Sequence, residues 1–253
     1  MSEPTFRSDI LVELDEACGS DRGIARRAWV ERPGQCSAGR RDDPGGWRAV
    51  IRAMMRHRHG SPFEGGYLSV YVEAPAVVWW EWTRHRFMAL DAPDFGFNLE
   101  SGRYKVLGGQ FYVPPPGRPL AEPAGFKPMR PELAEPTPEQ RLVSVGGGYD
   151  EPGEIRKACA RAWAAYERMA DAGVAREVAR LALPFSVYYA GYVSANPRSW
   201  LQFFSLRRRV EGAKYDTFPQ SEIEQAARQC EDLFAARWPL TLDAFAEFGR
   251  VAP

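Results

Sequence analysis

The chain has 253 residues, 45% of them hydrophobic, enough to bury a substantial core in one large domain or two small ones. It carries 33 basic and 33 acidic residues, so the broad positive field that draws proteins to nucleic acid or anionic membranes is missing, and any basic site must be local. The N-terminal MSEPTFRSDI has no basic segment followed by an apolar one, and no uncharged apolar run is long enough to span a bilayer. A cytoplasmic protein without a membrane or nucleic-acid partner is expected.

Only four of the basic residues are lysines, Lys105, Lys127, Lys157 and Lys214. Arginine is so common that clusters count and singletons do not. Cys18, Cys36, Cys159 and Cys230 are scattered without a CxxC pair, which argues against a zinc site or a disulfide framework. Cys159, among alanines in a helical pattern, reads as a small packing residue rather than a nucleophile.

In chain order, residues 8–17 (SDILVELDEA) read as a strand, 22–31 as a short helix and Gly34 to Gly46 as a loop. Residues 47–57 (WRAVIRAMMRH) place Val50 and Met54, with Trp47, at helical spacing. Residues 67–73 alternate, with Leu68, Val70 and Val72 on one strand face. Pro75 suits the first turn of a helix, PAVVWWEWTRHR, that delivers Arg84, His85 and Arg86 at its C-terminal end, where cations complement the helix dipole. VLGGQFYV reads as a further strand. Between Pro114 and Pro138 nine of 25 residues are proline, so an extended connection runs to about Gly148, as a lid, a subunit-wrapping arm or a disordered segment.

The last third reads as helical: residues 154–172, then 175–192 with a kink or break at Pro184. Asn196 before Pro197 has the form of an N-cap opening NPRSWLQFFSLR. Ser221 with Glu224 forms a capping box for the next helix, and Thr241 a cap for the last. Early strands and late helices predict one α+β domain over residues 1–253, without internal repeats.

All three histidines, His57, His59 and His85, fall within 29 residues. No acidic partner has a diagnostic spacing and HExxH is absent, so no metal site is expected and the histidines read as polar contacts near an anion. RHRHGSPFEGG, residues 56–66, is a tight loop whose N–H groups and Ser61 can meet phosphate or ring oxygens, or simply a solvated basic patch. Trp79, Trp80 and Trp82 beside arginines suit a flat heterocycle bearing phosphates, but tryptophans at this spacing more often serve core and interface packing. There is no Walker loop, and no GxGxxG follows a strand.

Taken in order, HGSPFE, an alternating strand, a Pro-led segment ending W-x-RHR and then SGRY resemble the flavin-dependent thymidylate synthases, whose signature is RHR, seven residues, Ser. Downstream, Arg180 stands sixteen residues before Asn196 in ARLALP…SANPRSWLQFFSLR, which is similar to the family's ARIVLP…NARSLxxFxxLR. The resemblance covers roughly residues 45 to 110 and 175 to 250. It implies an α+β fold with a mixed sheet and flanking helices, and a homotetramer binding FAD at subunit interfaces. By position, His59, Ser61, Glu64, Arg84, His85, Arg86, Asn196 and Gln202 would serve the flavin. Ser101, Gly102, Arg103, Arg180 and Arg207 would hold a uridylate, with Glu81 and Glu100 beside them.

The implied reaction is reductive methylation of uracil at C5, with methylenetetrahydrofolate as carbon donor and NADPH as reductant. Ser101 and Arg103 offer what a phosphate needs. Arg207, as the catalytic cation, would stabilise enolate-like charge on the ring, and the flavin would supply hydride. No cysteine nucleophile is required.

Four departures stand out. Fourteen residues, 87–100, separate RHR from Ser101; the family's Asn-Glu-x-Ser is Asn98-Leu99-Glu100-Ser101; a frequent Gln is Glu81; and the histidine of PFEH is Gly65. A longer loop and displaced acids favour UMP over dUMP, as in the uridylate C5-methylases of polyoxin-type nucleoside-antibiotic biosynthesis. The alternatives are an ordinary dUMP thymidylate synthase with a loop insertion and a non-catalytic flavin- or nucleotide-binding protein.

Overall fold

The structure, a computed structural model, describes residues 2–30, 43–88, 96–125, 127–128, 130–147 and 151–253. The chain divides into two compact units, each assembled from three segments: Met1–Leu11, Glu73–Trp82 and Leu99–Gly191 in one, Val12–Val72, Thr83–Asn98 and Tyr192–Pro253 in the other. Strands and helices mix throughout, so the fold is α+β.

In the first unit β1 (Thr5–Arg7) pairs in parallel with β5 (Gln110–Tyr112), Phe6 opposite Phe111. Helix α5 (Glu154–Asp171) buries Cys159, Trp163 and Tyr166, a spacing of four then three residues that puts all three on one face. They pack with Phe111, Ala179 and Val187. Gly109 has φ +62, and a Cβ there would come within 2.8 Å of the Trp163 ring, so this close approach requires glycine. The proline-rich connection folds back on itself: Leu120 and Ala121 donate to the Ala134 carbonyl, and Thr137 with Gln140 forms a capping box that starts a short helix, α4 (Pro138–Ser144).

In the second unit, α1 (Asp21–Val30) and α2 (Pro44–Arg56) precede a 3-10 turn, Ser61–Glu64. Helices α7 (Pro197–Arg207), α8 (Ser221–Arg237) and α9 (Pro239–Glu247) complete it. The larger sheet has the order β2 (Leu11–Cys18), β3 (Tyr67–Pro75), β6 (Tyr188–Ala195), β4 (Gly96–Leu99). An aromatic spine fills the core, running from Trp200 to Phe204, Phe234 and Trp238 with centroid spacings of 5.8, 5.5 and 4.9 Å. The Trp200 indole donates to the Leu68 carbonyl at 3.1 Å, tying α7 to β3.

Several expectations are corrected. The strand expected over residues 8–17 is β2, which starts only at Leu11, with Ser8–Ile10 linking it to β1. Helix α2 starts at Pro44 because Asp43 caps it; residues 34–42, with Cys36, lie outside the described residues. Pro75 ends β3, and helix α3 (Ala76–Trp82) stops before Arg84, so the Arg-His-Arg trio does not sit on a helix end. Of the predicted VLGGQFYV strand only Gln110–Tyr112 pairs, because Gly109 breaks the extended run.

The predicted helix over 175–192 is α6 (Arg176–Ala179) plus a 3-10 turn; Pro184 ends it, and the buried alternation of Gly191, Val193 and Ala195 belongs to strand β6. Gln220, not Ser221, precedes α8, and Glu224 accepts from the Arg209 N–H instead. Within the long 87–100 segment, residues 96–99 form β4, while 89–95 lie outside the described residues. Cys159 is buried with its Sγ 3.1 Å from the Ser186 hydroxyl, the packing role expected of it.

Thr241 lies inside α9, where its hydroxyl donates to Asp21 Oδ1 at 2.6 Å. Asp21 also accepts from the N–H groups of Leu240 and Thr241 at 2.9 and 3.1 Å, so a carboxylate from α1 caps the first turn of α9. Burial pushes its pKa up, and these hydrogen bonds pull against that shift. Asp21→Ala should cost about 2 kcal/mol by leaving buried donors unpartnered, and Asp21→Asn clearly less. Urea unfolding midpoints at constant m-value measure both.

Candidate active site

In the second unit, α2 ends at Arg56 and the chain turns through Arg58, which has φ +62, into the Ser61–Glu64 turn. This turn borders a pocket of about 440 Å³ whose walls include Glu64, Phe87, Asn196, Ser199 and Gln202. Asn196 caps α7 by accepting from the Ser199 N–H at 2.9 Å, and Pro197 starts the helix as expected. Asn196, Ser199 and Gln202 recur every three residues, so one face of α7 forms the wall. The Ser199 hydroxyl donates to the Phe87 carbonyl at 3.0 Å.

The same pocket contains side chains the sequence had not singled out. Arg198 donates from Nη1 to Glu64 Oε1 at 2.5 Å and from Nε to the Pro253 carbonyl at 2.8 Å. Its guanidinium lies where a Cβ on Gly60 would fall, within 2.4 Å of Cζ. Ala252 and Pro253 complete the lining. Arg198 stands in NPRSW, two residues from the predicted Asn196; nothing in the sequence marks residues 251–253.

His85 is buried, at 6% exposure, with its ring edge-on to Phe203 at 4.9 Å between centroids. Arg207, the last residue of α7, donates from Nε to His85 Nε2 at 2.8 Å. Burial first, and the Arg207 charge second, push the His85 pKa down to about 4, so the imidazole is neutral at pH 7 and Nε2 carries the accepting lone pair. The expected flavin residues thus divide. Glu64, Asn196 and Gln202 line the pocket, and His85 holds Arg207, whereas His59, Ser61, Arg84 and Arg86 are exposed and do not line it.

The remaining predicted residues belong to the first unit. Ser101 opens a turn in which its Oγ accepts from the Arg103 N–H at 3.3 Å. Gly102 is buried, and a Cβ there would stand 3.2 Å from Leu107 and 3.4 Å from the Arg180 stem. Arg103 pairs with Glu177 at 2.9 Å, both about half exposed. The Arg180 side chain makes no hydrogen bond or ion pair with any described residue; its charge bears on Tyr189, opposing the upward pKa shift that burial imposes on that phenol. Glu100 is pinned: its backbone N–H reaches the Ala190 carbonyl, and its carboxylate meets Lys105 at 2.9 Å and the Ala190 N–H at 3.3 Å. Glu81 lies half-buried on α3, apart from this turn in sequence. Glu177 and Lys105, the partners of Arg103 and Glu100, carried no sequence signal of their own.

Among the described residues no three His, Cys, Asp or Glu side chains converge as a metal site, and no helix is long and apolar enough to cross a membrane.

Comparison with known proteins adds the following. The family model described as thymidylate synthase complementing protein matches residues 14–240. The flavin-dependent thymidylate synthase of Streptomyces coelicolor is 39% identical over 249 residues, covering 98% of this chain and 95% of that protein. The enzyme of the same name from Thermus thermophilus is 32% identical, covering 94% of this chain and 76% of that protein. Among solved structures, the UMP/dUMP methylase PolB from Streptomyces cacaoi bound with 5-Br dUMP superposes with TM-score 0.78 at 35% identity, covering 98% and 100% of the two chains. PolB bound with 5-Br UMP gives 0.77 at 37% identity, covering 99% of each.

The His85 environment sets a pH dependence. The unfolded chain takes up a proton near the ordinary 6.5 while the folded chain refuses it until about 4. Stability from this group is therefore fully present above pH 6.5 and is lost as pH falls through 4, a change of roughly 3 kcal/mol. His85→Gln, which keeps an acceptor for Arg207 but does not titrate, should flatten that limb in urea unfolding between pH 7 and 4.

Proposed function

The chain belongs to the thymidylate synthase complementing family, the flavin-dependent thymidylate synthases, and is a methyltransferase of that class; from this premise we propose that it methylates a uridine 5′-monophosphate reductively at C5, favouring UMP and accepting dUMP. FAD is the proposed cofactor, methylenetetrahydrofolate the carbon donor and NADPH the reductant.

The observation that carries this reading is Arg207 held by a neutral His85. Its Nε donates to the imidazole, which orients the guanidinium plane, and in the proposed reaction this guanidinium faces a carbonyl oxygen of the uracil ring. Charge displaced onto that oxygen as C5 becomes nucleophilic meets a preorganised cation in a partly buried setting. Because His85 stays neutral, it does not compete for that charge.

The pocket residues fit a flavin. Asn196 and Gln202 offer amide groups to the polar edge of a ring, Phe87 offers an aromatic face, and Arg198 offers a fork to a diphosphate. When bound, the reduced flavin supplies hydride, while these side chains orient the ring and exclude water. We assign the phosphate of the nucleotide to Ser101 and Arg103, with Gly102 admitting close backbone approach and Arg180 adding a second cation. The exposed Arg103–Glu177 pair is worth little, so exchanging Glu177 for a phosphate costs little.

UMP acceptance is supported by PolB, a UMP/dUMP methylase bound with analogues of both nucleotides, and by Glu100, which Lys105 and Ala190 hold in its displaced position. A homotetramer with sites at subunit interfaces, working in the cytoplasm where NADPH and folates are drawn upon, completes the proposal. A role in nucleoside-antibiotic synthesis follows if UMP is the working substrate.

Parallel assays with FAD, NADPH and methylenetetrahydrofolate should yield 5-methylated product from UMP at least as fast as from dUMP. Turnover of dUMP alone would mark an ordinary thymidylate synthase. A yellow protein that binds uridylate without consuming folate would mark a non-catalytic binder. Arg207→Ala should retain FAD and lose about 10²–10³ in methylation rate; unchanged turnover would remove Arg207 from the chemistry.

A further inference from the structure

We propose that Arg58 is a positioning residue for the cofactor pocket, holding residues 251–253 in place as one of its walls. The proposal rests on the flavin reading of that pocket. Arg58 itself does not line it.

The backbone at Arg58 is left-handed, φ +62, a conformation that glycine adopts freely and arginine does not. What the side chain supplies explains its presence. Arg58 Nη1 donates to the Val251 carbonyl at 2.7 Å and also to the Ala252 carbonyl. Arg198 takes the next carbonyl, Pro253, at 2.8 Å. Three consecutive backbone acceptors, in a segment with no helix or strand of its own, are thus all satisfied by two guanidinium groups.

The base of the segment is fixed independently. Arg250, also left-handed at φ +56, donates to the buried Glu231 carboxylate and lies 4.9 Å over the Phe245 ring. Glu231 is held from its other oxygen by Arg208 at 2.7 Å. The segment therefore leaves a rigid anchor at Arg250, and its far end is placed by Arg58 and Arg198, which bring Ala252 and Pro253 to the pocket beside Asn196, Ser199 and Gln202. Arg198 contacts the pocket directly, whereas Arg58 acts only through residues 251 and 252.

FAD affinity measured by fluorescence titration of the full chain tests this, using wild type, Arg58→Gly, deletion of residues 251–253, and the two combined. Glycine suits the left-handed turn, so Arg58→Gly should leave thermal unfolding of the apoprotein equal or higher. It should nevertheless weaken FAD binding about tenfold, the deletion similarly, and the combination no further, because both remove one wall. Arg58→Lys, which keeps a charged donor, should recover part of the loss. Arg48→Ala, which breaks the exposed Arg48–Asp243 pair between α2 and α9, should leave FAD affinity unchanged.

Arg58→Gly binding FAD within twofold of wild type, losses that multiply in the combined variant, or an equal loss in Arg48→Ala would each overturn the proposal. A wild-type chain that binds no FAD would overturn the flavin reading and this proposal with it. Normal wild-type binding with unaffected variants would overturn the positioning role alone.

Discussion

A single hydrogen bond, Arg207 Nε to His85 Nε2 at 2.8 Å, is the constraint on which the chemistry proposed for this chain depends. It exists only while the imidazole is neutral, and burial beside a cation guarantees that across the physiological range. The packing behind it is aromatic. Phe203 presents its ring to His85, while Trp200 and Phe204 on the same helix are locked to β3 and α8. Core burial thus sets the helix, the helix sets Arg207, and a buried acceptor sets the plane of its guanidinium.

The side chains assigned to ligands behave differently. Arg103 with Glu177 and Arg198 with Glu64 are half-exposed ion pairs, each contributing little to stability and each able to trade a carboxylate for a ligand anion. By contrast, the carboxylates that hold backbone in place, Glu231 between Arg208 and Arg250 and Asp21 on the first turn of α9, are buried and accept hydrogen bonds on both oxygens. Rigidity is concentrated where geometry must be kept, and exchangeable contacts where ligands must enter.

Much of this was legible in the sequence where local chemistry is self-contained. Asn196-Pro197 is read correctly because an N-cap and an N1 proline act within four residues. The Leu68, Val70 and Val72 alternation identifies β3 for the same reason. Capping by Ser221 and Thr241 is misread because the partners come from afar: Asp21 satisfies the N-terminus of α9 from more than two hundred residues away. Residues 188–192, the first part of the strand Tyr188–Ala195, are misread as helix although the period of two was present, because the preceding ARLALP segment is helical and masks the change at Pro184. At the site, motif residues lead to Glu64, Asn196, Gln202 and Arg207. Arg58 and residues 251–253 could not be found that way, since a left-handed arginine and the carbonyls it meets leave no pattern in the residue order.

The most direct measurement is a crystal structure of the chain with FAD and UMP. The account places the flavin ring against Asn196 and Gln202, and a uracil carbonyl oxygen within hydrogen-bond reach of Arg207 while its Nε remains on His85. Flavin bound away from α7, or an Arg207 that leaves His85 and turns from the uracil, would contradict it.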